Sequence, residues 1–157
     1  MSKIIALIVS VLLIFFPESA FLECKAQELA YPGNDAVCNE IAKFIKSNDA
    51  DAIKEMFCES DKQVNENLTE QIQNVIDSID GEILNTEKEV GRGYQSDYAN
   101  YGIYQSKRDF VLSIKTINNS YSLFIFWVTV DTESPEKVGL SSLTLWDSER
   151  NLVAEAY

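Results

Sequence analysis

The sequence predicts an α+β domain in which N-terminal helices pack on one face of a curved antiparallel sheet. Three observations support this prediction. Apolar residues recur at helical spacing between residues 35 and 80, strand-like alternation follows Gly81, and short turns separate the predicted strands. Helices that precede a run of strands, rather than alternating with them, are typical of this class.

An apolar stretch near the N-terminus predicts export from the cytoplasm. Lys3 precedes an almost unbroken apolar run from residue 4 to residue 16, which Pro17 and Glu18 end. A helix of that length rises only about 20 Å, whereas the hydrocarbon core of a membrane is roughly 30 Å thick. We therefore expect a secretory signal segment, and no transmembrane span in the mature chain.

The site of processing has two alternatives. The sequence Cys24-Lys25-Ala26 places small residues where a signal peptidase needs them, so we expect a signal peptide over residues 1–26 and a linker over residues 27–34. The alternative is a lipoprotein with a lipid anchor on Cys24, which Glu23 disfavours because a small residue belongs at that position. The product is expected to be secreted or held in the cell envelope, with residues 35–157 as a single domain.

Charge and composition exclude several classes of function. The formal net charge of −12 repels phosphate backbones and anionic lipid, so nucleic acid is not expected as a partner. The chain has no histidine, which rules out Ser-His-Asp and Cys-His catalysis and an ordinary zinc site. We therefore expect no metal, no cofactor and no catalytic residue of these types.

Three helices are predicted in the first half of the chain. The first begins at Asn34 or Asp35, and the second follows a turn at residues 48–49. The third is expected as one uninterrupted helix from Ser60 to about residue 79, with a capping-box pattern at its start. Its apolar stripe consists of Val64, Leu68, Ile72, Val75, Ile76 and Ile79.

The second half of the chain predicts strands and one long loop. Residues 82–90 form a weak first strand, and residues 91–102 are expected as a polar loop rich in tyrosine. Residues 121–130 are apolar on both faces, which predicts a strand in the middle of the sheet and covered on two sides. The other strands are predicted at residues 109–117, 138–147 and 152–157.

Three short sequence pieces resemble a known family. They are Met56-Phe57-Cys58-Glu59-Ser60, the segment IDGEI at residues 79–83, and SPEKVGLSSLTL at residues 134–145. Over roughly residues 36–147 the chain resembles the domain of unknown function 5104, an uncharacterised family of small secreted bacterial domains in the cystatin-like, nuclear transport factor 2-like fold group. The resemblance implies a cone with a cavity between helices and sheet. It implies no activity, because this fold hosts enzymes, binders and scaffolds alike.

Cys38 and Cys58 are candidates for a structural disulfide. They lie at equal offsets on either side of position 48, the turn between the first two predicted helices, so an antiparallel hairpin brings them opposite each other. Exported proteins meet oxidising conditions, which favour such a bridge. The alternative is two separate buried thiols.

The tyrosine-rich segment supplies the binding candidates. They are Arg92, Tyr94, Tyr98, Tyr101 and Tyr104. Tyrosine offers a large contact area with a polar tip, so this segment suits recognition of a sugar, a peptide or a protein. The alternative is that these side chains pack on the rim of the sheet.

Other aromatic and acidic residues are weaker candidates. The aromatic residues are Tyr121, Phe124, Phe126, Trp127 and Trp146, which could line a ligand cavity, form the core or form a homodimer face. Asp131 and Asp147 lie at predicted strand ends, where solvated turn carboxylates are common. Either one needs burial and a raised pKa before it can act as a general base.

These observations favour a non-enzymatic extracytoplasmic domain that binds an unknown small molecule, peptide or protein. One alternative is a small enzyme with a buried Asp and Tyr as its proton-transfer pair. Another is a structural homodimer of the cell envelope, built on the two-sided apolar strand at residues 121–130.

Overall fold

The computed structural model describes residues 24–100 and 103–157, and in this part of the chain helices precede an antiparallel sheet. The predicted α+β class is therefore confirmed. The helices are α1 (residues 24–30), α2 (Asn34–Ser47), α3 (Ala50–Met56), α4 (Glu59–Val64) and α5 (Leu68–Asp77). The strands are β1 (Ile83–Asn100), β2 (Ile103–Thr116), β3 (Ser120–Asp131), β4 (Gly139–Asp147) and β5 (Leu152–Ala156).

The sheet is a meander with the strand order β1-β2-β3-β4-β5, so β3 occupies the middle as predicted. A turn at Asn118 and Asn119 joins β2 to β3. The backbone N–H of Thr116 donates to the carbonyl of Asn119 at 2.8 Å, and the Thr116 hydroxyl accepts from the N–H of Asn119 at 2.9 Å. These bonds fix the register in which the two strands pair.

The helices cover one face of the sheet and leave the other face open. Leu123 and Ile125 of β3 are fully buried against helical residues such as Ile41 and Ile72. Phe124 lies between them on the opposite face and is 38% exposed. The prediction that this strand is covered on two sides is therefore wrong around Phe124, whereas the consecutive residues Val128, Thr129 and Val130 near its end are all buried. We call the second face, which carries Phe124, the open face.

The third predicted helix is two helices, α4 and α5. The break falls at Asn65, whose side-chain oxygen accepts from the backbone N–H of Asn67 at 3.0 Å. An asparagine that bonds its own neighbouring backbone competes with helical hydrogen bonds. Val64, expected on the buried stripe, is 84% exposed at the end of α4. The predicted capping box at Ser60 is also wrong, because α4 starts at Glu59 without a side-chain cap.

The predicted tyrosine loop is mostly a strand. β1 continues through residues 91–100, which pair with β2 from Gly93 opposite Phe110 to Asn100 opposite Ile103. This part of the hairpin extends beyond the core, and its β1 side chains are exposed. A ribbon that solvent reaches on both faces needs no apolar alternation, so its polar composition looked like that of a loop.

The predicted disulfide between Cys38 and Cys58 is absent, and both residues are buried free thiols. The reason is the path of the chain after α3. Phe57 is extended, and the backbone N–H of Cys58 donates to the carbonyl of Leu140 at 2.9 Å. Cys58 thus follows β4 instead of continuing the helical hairpin that the prediction assumed.

Helix α1 is attached to the end of β3. The side-chain amide of Gln27 accepts from the Asp131 N–H at 3.0 Å and donates to the Asp131 carbonyl at 3.3 Å. The predicted linker at residues 27–34 therefore begins inside a helix. Most of the predicted signal peptide, residues 1–23, lies outside the described residues, and cleavage after Ala26 stays a prediction. None of the described helices is long and apolar enough to cross a membrane.

Candidate functional site

A wide bulge in β1 borders a concave part of the open face. The register changes between Lys88, opposite Leu112, and Gly93, opposite Phe110, so that residues 89–92 face the single residue Val111. Bulges twist a strand and redirect its side chains. Here the bulge brings the side chains of residues 89 and 92 over the open face.

Gly93 closes this bulge, and only glycine fits there. Its φ is +140°, and a Cβ atom at this position would lie 2.5 Å from the carbonyl oxygen of Asp109. The next residue, Tyr94, donates its backbone N–H to the carboxylate of Asp109. The close approach of the two strands therefore depends on the missing side chain.

The bulge borders a cavity of about 410 Å³ on the open face, which we call the open-face cavity. Phe124 and Trp146 provide an aromatic floor, with ring centroids 6.5 Å apart and the rings edge to face. Val111 adjoins them and is 2% exposed. The remaining lining residues are Arg92, Gly93, Asp109, Phe110, Ser122, Asp147 and Arg150.

Two arginines of this cavity differ in their partners. The Nη1 atom of Arg92 lies 2.9 Å from Glu89, which also accepts from the Ser122 hydroxyl at 3.2 Å. Arg150 lies in the turn between β4 and β5 with φ +67°. Among the described residues, no carboxylate lies within ion-pair distance of Arg150. Its guanidinium is therefore the cation of this cavity that remains available.

Asp147 holds the turn that carries Arg150. One carboxylate oxygen accepts from the backbone N–H groups of Glu149 at 2.9 Å and Asn151 at 2.8 Å, and the other from the Asn151 side chain at 3.0 Å. The Asn151 side chain, followed by these backbone donors, lowers the pKa of Asp147. Asp147 therefore stays ionised to a lower pH than an ordinary aspartate.

This shift predicts the behaviour of the turn in acid. Because the folded-state pKa of Asp147 is lowered, its contribution to stability is complete above the ordinary carboxyl pKa and is lost as the pH falls through the folded value. We expect the Asp147 carboxyl resonance in an NMR titration to have a midpoint below that of an ordinary aspartate. Asn151→Ala should raise this midpoint, and an unchanged midpoint in that variant would contradict the assignment of its cause.

The family comparison agrees with the sequence pieces that suggested a resemblance. Residues 40–149 match the family described as Domain of unknown function (DUF5104). The chain belongs to this family. A comparison with curated proteins gave no match. Membership of the DUF5104 family is thus shown, while the cone-shaped fold group and a bacterial, secreted origin stay predictions.

The structure of this DUF5104 domain separates the five predicted binding residues. Arg92 lines the open-face cavity, whereas Tyr94 and Tyr98 are exposed along β1. Tyr104 lies on β2 opposite Ala99, which places it on the other face of the hairpin from Tyr98. Tyr101 lies outside the described residues.

The other aromatic candidates divide between core, rim and cavity. Tyr121 belongs to the core, and its hydroxyl accepts from the backbone N–H of Asp80 at 3.1 Å. Trp127 packs against Tyr31 on the helix-covered face, with ring centroids 5.8 Å apart. Phe126 is half-buried on the open face. Of these five aromatic candidates, Phe124 and Trp146 alone line the open-face cavity. This is the position that the ligand hypothesis expected for some of the five.

Asp131 supports a turn. It is 3% exposed, and its carboxylate accepts from the N–H groups of Glu133 at 3.1 Å and Ser134 at 2.8 Å, and from the Gln105 side chain at 3.1 Å. The buried carboxylate therefore has hydrogen-bond donors, and all of these donors are neutral. No tyrosine hydroxyl is among its partners in the described part of the chain, so the geometry offers no proton-transfer pair at this residue.

The cysteines of the DUF5104 domain are protected thiols. Burial raises the pKa of Cys38 to about 11. Burial and a hydrogen bond to Asp61, 2.9 Å from Sγ, raise the pKa of Cys58. A thiol rather than a thiolate is therefore present at neutral pH. Across residues 24–100 and 103–157, no group of three or more His, Cys, Asp or Glu side chains is placed to hold a metal ion.

Several cavity residues were not predicted. They are Asp109, Val111, Ser122 and Arg150. Strand alternation places the side chain of Val111 on the other face of the sheet from the core residues Phe110 and Leu112. Its position beneath a cavity on that face could therefore have been predicted. The position of Arg150 depends on a left-handed turn conformation, which the sequence Glu149-Arg150-Asn151 does not specify by itself.

Proposed function

We propose that this domain binds a small organic anion with a flat apolar body in the open-face cavity, and that it does so outside the cytoplasm. The observation that supports the proposal is the combination of an aromatic floor, Phe124 and Trp146, with the cation of Arg150 at the rim, which has no carboxylate partner among the described residues. Export rests on the apolar N-terminal sequence alone.

The dimensions of the cavity suit a small molecule. A volume of about 410 Å³ falls within the roughly 300–1,000 Å³ typical of ligand sites. An apolar floor with a few polar groups at its rim is also typical of such sites, because the floor supplies affinity and the rim fixes orientation. The curvature that makes the site concave comes from the bulge ending at Gly93.

The charges at the rim favour an anion over a cation. The Asp147 carboxylate is occupied by Glu149 and Asn151, and the Asp109 carboxylate by the N–H of Tyr94. Arg150 has no such partner in the described structure. An incoming carboxylate would meet the guanidinium beside a surface that excludes water, where charge-assisted hydrogen bonds are stronger.

A matched pair of probes tests this proposal. The chain has two tryptophans, so Trp127→Phe leaves Trp146 as the sole indole reporter at the cavity. We expect phenylacetate to change its fluorescence saturably, with a Kd near the millimolar range, and to bind roughly tenfold more tightly than the uncharged phenylacetamide. Arg150→Gln should remove this preference.

The control for Arg150→Gln is Lys137→Gln, which makes the same change in net charge at a turn outside the cavity. It should retain the preference for phenylacetate. Equal binding of phenylacetate and phenylacetamide to the unmodified cavity, or equal loss in both variants, would contradict the proposal.

A second copy of the chain is the competing occupant, because Tyr94, Leu152 and Val153 also expose apolar surface. Sedimentation that shows a concentration-dependent dimer, disrupted by Phe124→Glu, would support that occupant instead.

A further inference from the structure

A second concave site lies beside the same bulge, between the first turn of α2 and the strands β1 and β2. It has a volume of about 280 Å³, and we call it the Arg108 cleft. Arg108 is opposite Gln95 and Trp127, whereas the next residue, Asp109, is opposite Tyr94 and Phe126. Successive residues of a strand point to opposite faces, so Arg108 borders only this cleft, whereas Asp109 borders the open-face cavity as well.

Positive charge is concentrated in this cleft. Its lining includes the three cations Lys88, Arg92 and Arg108 and the two carboxylates Glu89 and Asp109, in a chain with 13 basic and 25 acidic residues. Two of the cations are paired, since Lys88 contacts Asp35 and Arg92 contacts Glu89. Within the described structure, Arg108 has no carboxylate partner. An acidic protein therefore keeps one unneutralised guanidinium in a concave site.

An aromatic platform holds Arg108 in place. The guanidinium carbon lies 5.4 Å from the ring centroid of Tyr31, and that ring packs against Trp127. The Tyr31 hydroxyl donates to the side chain of Asn34 at the start of α2. Burial, only partly offset by Arg108, raises the pKa of Tyr31 to about 12, so its ring is neutral at physiological pH. A stacked guanidinium loses less freedom when it binds a ligand than an unrestrained one.

One nitrogen of this guanidinium lacks a hydrogen-bond acceptor in the described structure. The Nε atom of Arg108 is buried and has no hydrogen-bond acceptor in the described structure. A buried donor without an acceptor costs free energy, and each such group in a folded protein needs an explanation. Nε and one terminal nitrogen of arginine form the fork that carboxylates and phosphates bind with two parallel hydrogen bonds.

We propose that the Arg108 cleft is a binding site for a small oxyanion, a carboxylate or phosphate group, with Arg108 as its principal ligand and Lys88 as a second cation. The volume is slightly below the usual range for ligand cavities, which fits a small group rather than a large molecule. The net charge of −12 repels extended polyanions, which leaves small anions as the matching class. This site adjoins the open-face cavity, but its principal ligand, Arg108, does not line that cavity.

The test uses the full chain with Trp146→Phe, so that Trp127, the neighbour of Tyr31, is the sole indole reporter. Sodium phosphate and sodium acetate are titrated at constant ionic strength against sodium chloride, and the Arg108 Nε–H resonance is followed by NMR. We expect a saturable shift of this resonance together with a change in Trp127 fluorescence. Tighter binding of phosphate assigns the site to phosphate groups, and tighter binding of acetate assigns it to carboxylates.

Variants distinguish a specific site from general charge attraction. Arg108→Lys should weaken binding about tenfold, because lysine lacks the planar fork, and Arg108→Met should abolish it. Lys88→Gln leaves the stack on Tyr31 intact and should weaken binding about threefold, which keeps the proposal testable if Arg108→Met does not fold. Lys137→Gln is the matched control and should leave binding within about twofold.

Three results would overturn the proposal. They are the absence of saturation by either anion, retention of binding in Arg108→Met, and equal weakening in Lys88→Gln and Lys137→Gln. The proposal for the open-face cavity is judged separately, because its reporter is Trp146 and its probe pair is phenylacetate and phenylacetamide. A failure to bind at one site therefore does not decide the proposal for the other.

Discussion

Gly93→Ala is expected to lower the free energy of unfolding by about 3 kcal/mol or more and to impair both cavities. A non-glycine residue at φ +140° carries backbone strain of about 1–3 kcal/mol. The new Cβ atom would also collide with the Asp109 carbonyl at 2.5 Å, and backbone atoms of a paired strand cannot move without breaking the ladder. Urea denaturation followed by circular dichroism measures the loss.

Gly33→Ala is the matched control for this substitution. Gly33 also has a positive φ, +91°, but in the described structure no atom other than those of its two chain neighbours lies within 4 Å of a Cβ placed there. This variant therefore measures backbone strain without a collision, and we expect it to cost about 2 kcal/mol less than Gly93→Ala. If the two variants are equally stable and Gly93→Ala binds phenylacetate normally, the close approach of β1 and β2 is not what shapes the sites.

The sequence predicted correctly the helix starts that depend only on neighbouring residues. Helix α2 begins at Asn34, one of the two predicted starts, and α3 follows Asp49, whose side chain accepts from the N–H of Ala52 at 2.9 Å. Such caps need only the neighbouring residues, so they are visible without the rest of the fold. The split between α4 and α5 was missed because the periodicity continues across Asn65, while a side-chain bond interrupts the backbone.

The site could not be predicted because it depends on contacts between strands. The sequence identified Arg92 and the aromatic residues Phe124 and Trp146, but it could not place them in one cavity. Their meeting depends on a bulge whose position is set by the pairing of β1 with β2. Arg108 was missed for the same reason, since its platform combines Tyr31, before α2, with Trp127 on β3.

The bulge gives the two proposed sites a common structural origin. Arg92, Gly93, Asp109 and Phe110 border both cavities. Each cavity has one arginine without a carboxylate partner in the described structure, Arg150 on the open face and Arg108 on the other. Because each of these cations lines only one of the two cavities, a ligand in one cavity does not compete for the charge in the other. The shared border offers a route by which occupancy of one cavity changes the shape of its neighbour.

Phe110→Ala and Phe124→Ala are expected to separate stability from binding. Phe110 is 1% exposed and packs in the core, so its truncation should lower the free energy of unfolding by about 3–5 kcal/mol. Phe124 is 38% exposed and has an edge-to-face contact with Trp146, so its truncation should cost only about 1 kcal/mol. Denaturation curves of the two variants measure this difference.

Binding should show the opposite order of effects. At a temperature where both variants are folded, Phe124→Ala should lose saturable binding of phenylacetate, because the ligand loses half of its aromatic floor. Phe110→Ala should retain a larger part of this binding, because the side chain of Phe110 belongs to the core and only 1% of the residue is exposed. If Phe124→Ala instead destabilises the protein as much as Phe110→Ala, the aromatic residues of the open face are structural, and a covering partner becomes the better explanation for them.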